Sequence, residues 1–168
     1  MNDFGRNTYK IIDLKALKEN YCAIDNLAPN SETIAVIKAD AYGHGAVAVA
    51  KTLAQIAPAL AVAFIEEALI LRSNNIASPI LLLEGPLARK DINMAKKFSF
   101  WLMIHSAYQL EWLIAEDFPR DQQIWIKVDT GMSRLGFSTQ QISDVVLTLH
   151  DAGYKKIILC SHCSCADD

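Results

Sequence analysis

The stretch IAVIKADAYGHGAVAVAKTLAQI, residues 34–56, joins a short apolar run, a glycine-containing turn and a segment of helical period. The run Ile34–Lys38 is almost continuously apolar, as is typical of a strand that is covered on both faces. The segment Gly45–Ile56 carries its apolar residues on one helical face, at Val47, Ala50, Leu53 and Ala54. The order of these pieces predicts a β strand followed directly by a helix.

The same pattern recurs along the chain, so six predicted strands alternate with predicted helices. The strands are Ile34–Lys38, Leu60–Phe64, Ile80–Glu84, Phe100–Ile104, Ile124–Val128 and Ile157–Ser161. The helices are Leu14–Leu27, which Asp13 could cap, then Gly45–Ile56, Glu66–Arg72, Arg89–Lys97, Ala107–Ile114 and Gln140–His150. This alternation predicts an α/β protein with a parallel sheet and right-handed crossovers.

Two architectures fit this pattern, a doubly wound open sheet and a (β/α)8 barrel. No GxGxxG sequence follows the first predicted strand, which speaks against the dinucleotide-binding form of the doubly wound sheet. The periodicity alone leaves both architectures open.

Composition and charge narrow the class of function. The chain is 52% hydrophobic and 21% charged, which is typical of a folded domain rather than a disordered one. Its net charge of -3 gives no reason to expect nucleic acid or an anionic membrane as a partner. The N-terminal sequence MNDFGRNTYK is polar and the apolar runs are too short to span a bilayer, so we expect a cytoplasmic protein.

Three cysteines, Cys160, Cys163 and Cys165, lie around His162, and together these residues could be interpreted as zinc ligands. Structural zinc sites usually draw their ligands from two separated pairs. Here the remaining cysteine, Cys22, lies in a predicted helix. We therefore expect no metal site and expect small buried residues at a strand end.

Residues able to carry chemistry follow three of the predicted strands. Lys38 closes the first strand, Lys127 lies near the end of the fifth with Arg134 just beyond it, and His162 follows the sixth. Parallel α/β folds bind ligands at the carboxyl ends of their strands, so these side chains should converge on one rim. A lysine in this position can keep its ammonium in water, or it can serve as an amine that forms a Schiff base. The turn that follows, with two glycines and the hydroxyl of Tyr42, favours the second interpretation.

Three motifs resemble those of the alanine racemase family. AVIKADAYGHG at Ala35–Gly45 is similar to the family's attachment motif for pyridoxal 5'-phosphate. IKVDTGMSRLGF at Ile126–Phe137 resembles its second motif, and SHCSCADD at Ser161–Asp168 resembles its third. The resemblance implies an incomplete (β/α)8 TIM-type barrel, with about six of eight βα units in these 168 residues. It also implies that the family's β-rich C-terminal domain lies outside the sequence and that the family protein is a homodimer.

The resemblance further implies a role for each rim residue. It places the aldehyde carbon of pyridoxal 5'-phosphate on the Lys38 amine and the cofactor phosphate near Tyr42. Arg134 matches the arginine that contacts the cofactor's phenolic oxygen and lies near the substrate carboxylate. Lys127 matches a lysine that is often carbamylated and that positions this arginine. His162 matches the histidine that packs near the pyridine ring.

The reaction implied is racemisation of L-alanine to D-alanine for cell-wall synthesis, with Lys38 as the base on one face of Cα. The family's second base is a tyrosine of the partner subunit, in the domain outside this sequence. The alternatives are a truncated, non-catalytic fragment, another amino-acid racemase of the family, a barrel decarboxylase and a small cofactor-carrier protein. The Tyr-Gly-His-Gly context disfavours the decarboxylase, and the end of the sequence just after the sixth predicted strand disfavours the carrier protein. One departure from the family is Cys163, where an aromatic residue is usual, so less volume packs beside His162.

A barrel with six of eight strands would have two open edges and an uncovered apolar interior. We therefore expect Met1–Asp168, expressed alone, to be weakly stable and to aggregate or self-associate. Light scattering and thermal unfolding test this expectation. A soluble monomer with a sharp cooperative unfolding transition would contradict it.

Overall fold

The structure, a computed structural model, describes residues 8–165. The start of the polar N-terminal segment, Met1–Asn7, and the last three residues of the SHCSCADD motif, Ala166–Asp168, lie outside the described residues.

Helices and strands alternate through the described part of the chain. The helices are α1 (Leu14–Leu27), α2 (Lys38–Gly43), α3 (Ala46–Leu53), α4 (Ile65–Ser73), α5 (Arg89–Phe98), α6 (Ala107–Ala115) and α7 (Ile142–Asp151). The strands are β1 (Ala35–Val36), β2 (Leu60–Val62), β3 (Ile80–Leu82), β4 (Trp101–Ile104), β5 (Ile124–Asp129), β6 (Phe137–Ser138) and β7 (Ile157–Cys160). As expected, Asp13 caps α1, since its carboxylate accepts hydrogen bonds from two amides of the first turn.

The strands form one parallel sheet in which chain order is also spatial order. β1 to β5 lie side by side, and β7 pairs with β5. In this pair Ile124 lies opposite Ile157. A doubly wound sheet would reverse its strand order at a switch point. The order here advances in one direction, as in a (β/α)8 barrel, so the doubly wound alternative is wrong. The described residues contain six of the eight barrel strands.

The predicted helices and strands are found, but each strand differs from its predicted bounds by one or two residues at one or both ends, and the short helix α2 was not predicted. Four strands, β1, β2, β3 and β7, end earlier than predicted. Lys38 does not lie in the first strand, because β1 ends at Val36 and the chain turns at Lys38. The structure also contains β6, which was not predicted and which pairs with Val128 and Asp129 at the carboxyl end of β5. A two-residue strand has no periodicity, so its presence depends on the partner strand beside it.

Alternate strand residues face opposite sides of the sheet. One side packs against the helices and holds the main apolar core, including Leu60 and Val62 of β2. The other side, the inner face, has a smaller buried cluster of Ala61, Leu81 and Met103. No helix within residues 8–165 is long and apolar enough to cross a membrane.

The loop after β3 is locked to the end of β4 by the fully buried Gln109. Its Nε2 donates to the carbonyl oxygens of Glu84 and Pro86, both at 3.0 Å, while its Oε1 accepts from the amide of His105 at 2.9 Å. Between them Gly85 adopts a φ of +64°, and a Cβ there would lie 2.1 Å from the carbonyl oxygen of Met103. The loop can approach β4 this closely because residue 85 has no side chain.

The Gly85→Ala variant should therefore be much less stable than a matched Gly43→Ala variant. Gly43 also has a positive φ, +82°, but a Cβ at residue 43 meets nothing within 4 Å. Both variants carry the cost of a left-handed alanine, roughly 1–2 kcal/mol. The backbone clash should cost Gly85→Ala roughly 1–3 kcal/mol more. Urea midpoints at equal protein concentration measure the difference, and equal losses in the two variants would contradict the clash.

Candidate active site

A cleft of about 250 Å³ opens on the inner face of the sheet, at the carboxyl ends of the strands. It brings together all five side chains that the sequence singled out, namely Lys38, Tyr42, Lys127, Arg134 and His162. Alternation along the strands explains this convergence. Trp125 and Cys160 pack on the inner cluster. Lys127 and His162 each lie two residues further along the chain, so they point to the same side of the sheet.

The lining of the cleft combines apolar and charged side chains. Leu83, Met103 and Leu135 contribute apolar surface, and Tyr42, which is 61% exposed, lies toward solvent. Lys38, Lys127 and Arg134 supply three positive charges, while the carboxylate of Glu84 supplies one negative charge. The excess of cationic groups in a partly enclosed cleft favours an anionic ligand.

Lys38 begins α2, whose backbone winds in the left-handed sense. The four residues from Ala39 to Tyr42 have φ between +51° and +53°. Each non-glycine residue in this region costs roughly 1–2 kcal/mol, so the turn carries about 4–8 kcal/mol of backbone strain. Such a turn persists only where its surroundings hold it.

Side chains anchor this left-handed turn at several points. The Glu67 carboxylate accepts from the Ala39 amide at 2.6 Å, and the Asp40 carboxylate accepts from the Ala46 amide at 2.7 Å. Lys10 Nζ donates to the carbonyl oxygen of Gly43 at 2.7 Å. Hydrogen bonds to charged groups contribute at most about 3 kcal/mol each, which is the size needed to offset the strain.

Arg134 lies on a loop that the carboxylate of Asp129 organises. Oδ1 of Asp129 accepts from the amides of Gly131 at 2.9 Å and Ser133 at 3.0 Å. The Ser133 amide, followed by that of Gly131, holds the pKa of the Asp129 carboxyl below its ordinary value. The loop that carries Arg134 thus begins from a charged anchor at the end of β5.

A pair of hydroxyls connects this loop to the segment that carries His162. Ser161 Oγ lies 3.2 Å from the carbonyl oxygen of Val128 and donates to it. Ser161 Oγ is also 2.6 Å from the Thr130 hydroxyl. Because the Ser161 proton points to Val128, the Thr130 hydroxyl donates to Ser161. Arg134 and His162 are therefore carried on segments that are hydrogen-bonded to each other.

The expectation of buried cysteines around His162 was wrong. Cys163 and Cys165 are exposed and Cys160 is half-buried, lining the cleft. The chain leaves the sheet after Cys160, so the two later thiols have no strand neighbours to cover them.

Sequence reasoning did not find Glu67, Ser161 or Gln109 as residues that shape the rim. Glu67 is 28 residues from the amide of Ala39 that it binds, and no local pattern signals such a pair. The role of Asp129 could have been suspected, since an aspartate that precedes Thr-Gly-Met-Ser is typical of a side-chain-capped turn.

Comparison with known proteins agrees with this geometry. The sequence profile described as "Alanine racemase, N-terminal domain" matches residues 12–168. The alanine racemase of Alteromonas mediterranea is 42% identical over 166 residues, covering 98% of this chain and 46% of that protein. Among solved structures, the alanine racemase from Acinetobacter baumannii superposes with a TM-score of 0.88 at 33% identity, covering 94% of this chain and 44% of that one. The biosynthetic alanine racemase from Pseudomonas aeruginosa gives a TM-score of 0.87 at 36% identity, covering 93% and 44%.

The fold and the site thus define a barrel of the TIM type with a lysine-containing cleft at its carboxyl rim. The chain belongs to the alanine racemase family. It spans a little less than half the length of the relatives it matches.

The Asp129 anchor should make the order of the Arg134 loop depend on pH. The pKa of the Asp129 carboxyl is lower in the folded chain than in the unfolded chain. Its contribution to stability is therefore complete at pH values above the ordinary pKa of about 3.9, and it is lost as the pH falls through the lower, folded-state pKa. Asp129→Asn keeps an acceptor oxygen but loses the charge, so amide exchange in residues 130–134 should be about tenfold faster at neutral pH.

The ratio of exchange rates between Asp129→Asn and the original chain should approach one at acid pH, once Asp129 is protonated. Asp121→Asn, which removes an exposed carboxylate before β5, serves as the control. A ratio that stays constant from neutral to acid pH would exclude the charge as the cause.

Proposed function

We propose that the cleft binds pyridoxal 5'-phosphate through Lys38 and serves the racemisation of L-alanine to D-alanine. The observation that supports this most directly is the single cleft shared by Lys38, Tyr42, Lys127, Arg134 and His162. Family membership supports the same reaction, because the relatives that cover the chain carry the name alanine racemase.

The donor set of the cleft fits this cofactor. Its phosphate and phenolic oxygen are anionic, and Tyr42 and Arg134 offer hydrogen-bond donors that complement such oxygens. An amine at Lys38 can bond to an aldehyde, and the His162 ring offers a flat surface for a pyridine. The residues present therefore match the chemical parts of the group one by one.

When bound, the cofactor delocalises the negative charge that develops on Cα of the amino acid. Lys38 would serve one face of Cα, where it takes the proton in one direction of the reaction and delivers a proton in the other, while a second base serves the opposite face. Arg134 holds the substrate carboxylate, and its planar guanidinium suits two parallel hydrogen bonds. Lys127, carbamylated in this proposal, would carry a negative charge that orients Arg134.

The proposal extends to the setting in which the chain works. Residues 1–168 would form part of an N-terminal barrel domain, acting in the cytoplasm and as a homodimer, with D-alanine used for cell-wall synthesis. The base for the second face of Cα would come from outside this sequence, so the chain by itself would bind the cofactor without racemising alanine.

Labelling of the cofactor lysine tests the proposal. The chain is incubated with pyridoxal 5'-phosphate, reduced with borohydride and mapped by peptide mass, alongside an assay of L- to D-alanine conversion. We expect the label on Lys38, its loss in Lys38→Arg, and its retention in a Lys51→Arg control that alters an exposed lysine of α3.

The outcomes separate the possibilities. A label on Lys38 without conversion is the expected result. Conversion by the chain alone would overturn the assignment of the second base to another part of the protein. Label distributed over exposed lysines, or unchanged in Lys38→Arg, would overturn the cofactor assignment.

A further inference from the structure

We propose that Glu67 is the positioning residue for Lys38, because one of its carboxylate oxygens caps α4 while the other holds the backbone next to the lysine. The inference rests on the proposed function, in which Lys38 carries the cofactor. It concerns a residue that lies outside the cleft and acts through the left-handed turn.

The two oxygens of Glu67 serve different elements. Oε2 accepts from the amides of Ala63 and Phe64, at 2.8 and 3.0 Å, at the start of α4. Oε1 accepts from the amide of Ala39 at 2.6 Å, in the residue that follows Lys38. One side chain therefore ties the turn after β1 to the junction between β2 and α4.

Glu67 is held firmly enough to act as an anchor. It lies in the first turn of α4, whose neighbouring residues Ile65, Ala68 and Leu71 are buried against the sheet. A carboxylate fixed in this way limits the positions open to the Ala39 amide. Lys38, directly before that amide and directly after β1, is thereby held between two fixed points.

Helix α5 has the same type of cap, made by an aspartate instead of a glutamate. Asp91 occupies the third position of α5, as Glu67 does in α4. Its Oδ2 accepts from the amides of Leu87 and Ala88, at 3.0 and 2.8 Å, in the same local pattern. Aspartate is thus long enough for the cap. Glu67 has one methylene more than an aspartate and makes one contact more, to the Ala39 amide. The cap requires neither the methylene nor this contact.

The other anchors of the turn act farther from the lysine. Asp40 binds the amide of Ala46 and Lys10 binds the carbonyl of Gly43, both near the end of the turn. The contact from Glu67 therefore has a distinct effect, since it acts on the peptide unit that joins Lys38 to the turn. Its loss should change the presentation of the lysine more than the stability of the fold.

The Glu67→Asp variant separates these two functions. Aspartate should retain the α4 cap, as Asp91 does in α5, and lose the reach to Ala39. Glu66→Asp, at the neighbouring exposed position of α4, is the matched control. All variants carry the whole sequence of residues 1–168, and thermal midpoints at equal concentration establish that the variants fold.

Three measurements are then compared at a temperature well below the midpoints. They are the rate of reductive labelling of Lys38 by pyridoxal 5'-phosphate, the rate for the exposed Lys51 as an internal reference, and amide exchange in residues 38–45. We expect Glu67→Asp to label Lys38 about tenfold more slowly and to exchange this segment about tenfold faster, with Lys51 and the midpoint nearly unchanged.

The result that overturns the inference is a Glu67→Asp chain whose Lys38 labelling and segment exchange match those of Glu66→Asp. A lowered midpoint with parallel changes at Lys38 and Lys51 would also overturn it, since that indicates a general structural role. If the original chain is not labelled at Lys38, the proposed function fails, and exchange in residues 38–45 still decides whether Glu67 holds the turn.

Discussion

The parallel hydrogen-bond ladder that runs from β1 to β5 and on to β7 is the constraint on which the site depends. Parallel pairing without reversal brings the carboxyl ends of all these strands to one rim. Alternation along each strand then assigns every second side chain to the inner face. Lys127 and His162 meet in one cleft for this reason, although 34 intervening residues separate them along the chain.

The loops on this rim are held by side chains from other βα units. Glu67, which follows β2, binds the turn after β1. Gln109, which follows β4, binds the loop after β3. Ser161, which follows β7, binds the end of β5. The geometry of each loop therefore depends on the folding of its neighbour, and α4 supplies one of the hydrogen-bond acceptors that hold the strained turn beside Lys38.

Much of the site could be predicted because its side chains follow recognisable strands. Lys38, Lys127 and His162 each stand near the end of an apolar run, and the parallel topology follows from the alternation of runs with helical segments. What the sequence could not indicate was that two of the thiols near His162 are exposed. Cys163 and Cys165 are exposed because the chain has already left the sheet, and their local composition contains no sign of this.

By itself, the sequence determined the α/β class, the bounds of the six predicted helices to within a few residues and five of the side chains that line the cleft, because these depend on local periodicity and on short motifs. Only the tertiary structure decided the left-handed turn at Lys38, the strand β6 and the anchoring role of Glu67. Each of these requires a partner at a distance along the chain, such as the Ala39 amide for Glu67 or the end of β5 for β6. Contacts of that kind arise when the sheet brings separate units together, and no local sequence pattern encodes them.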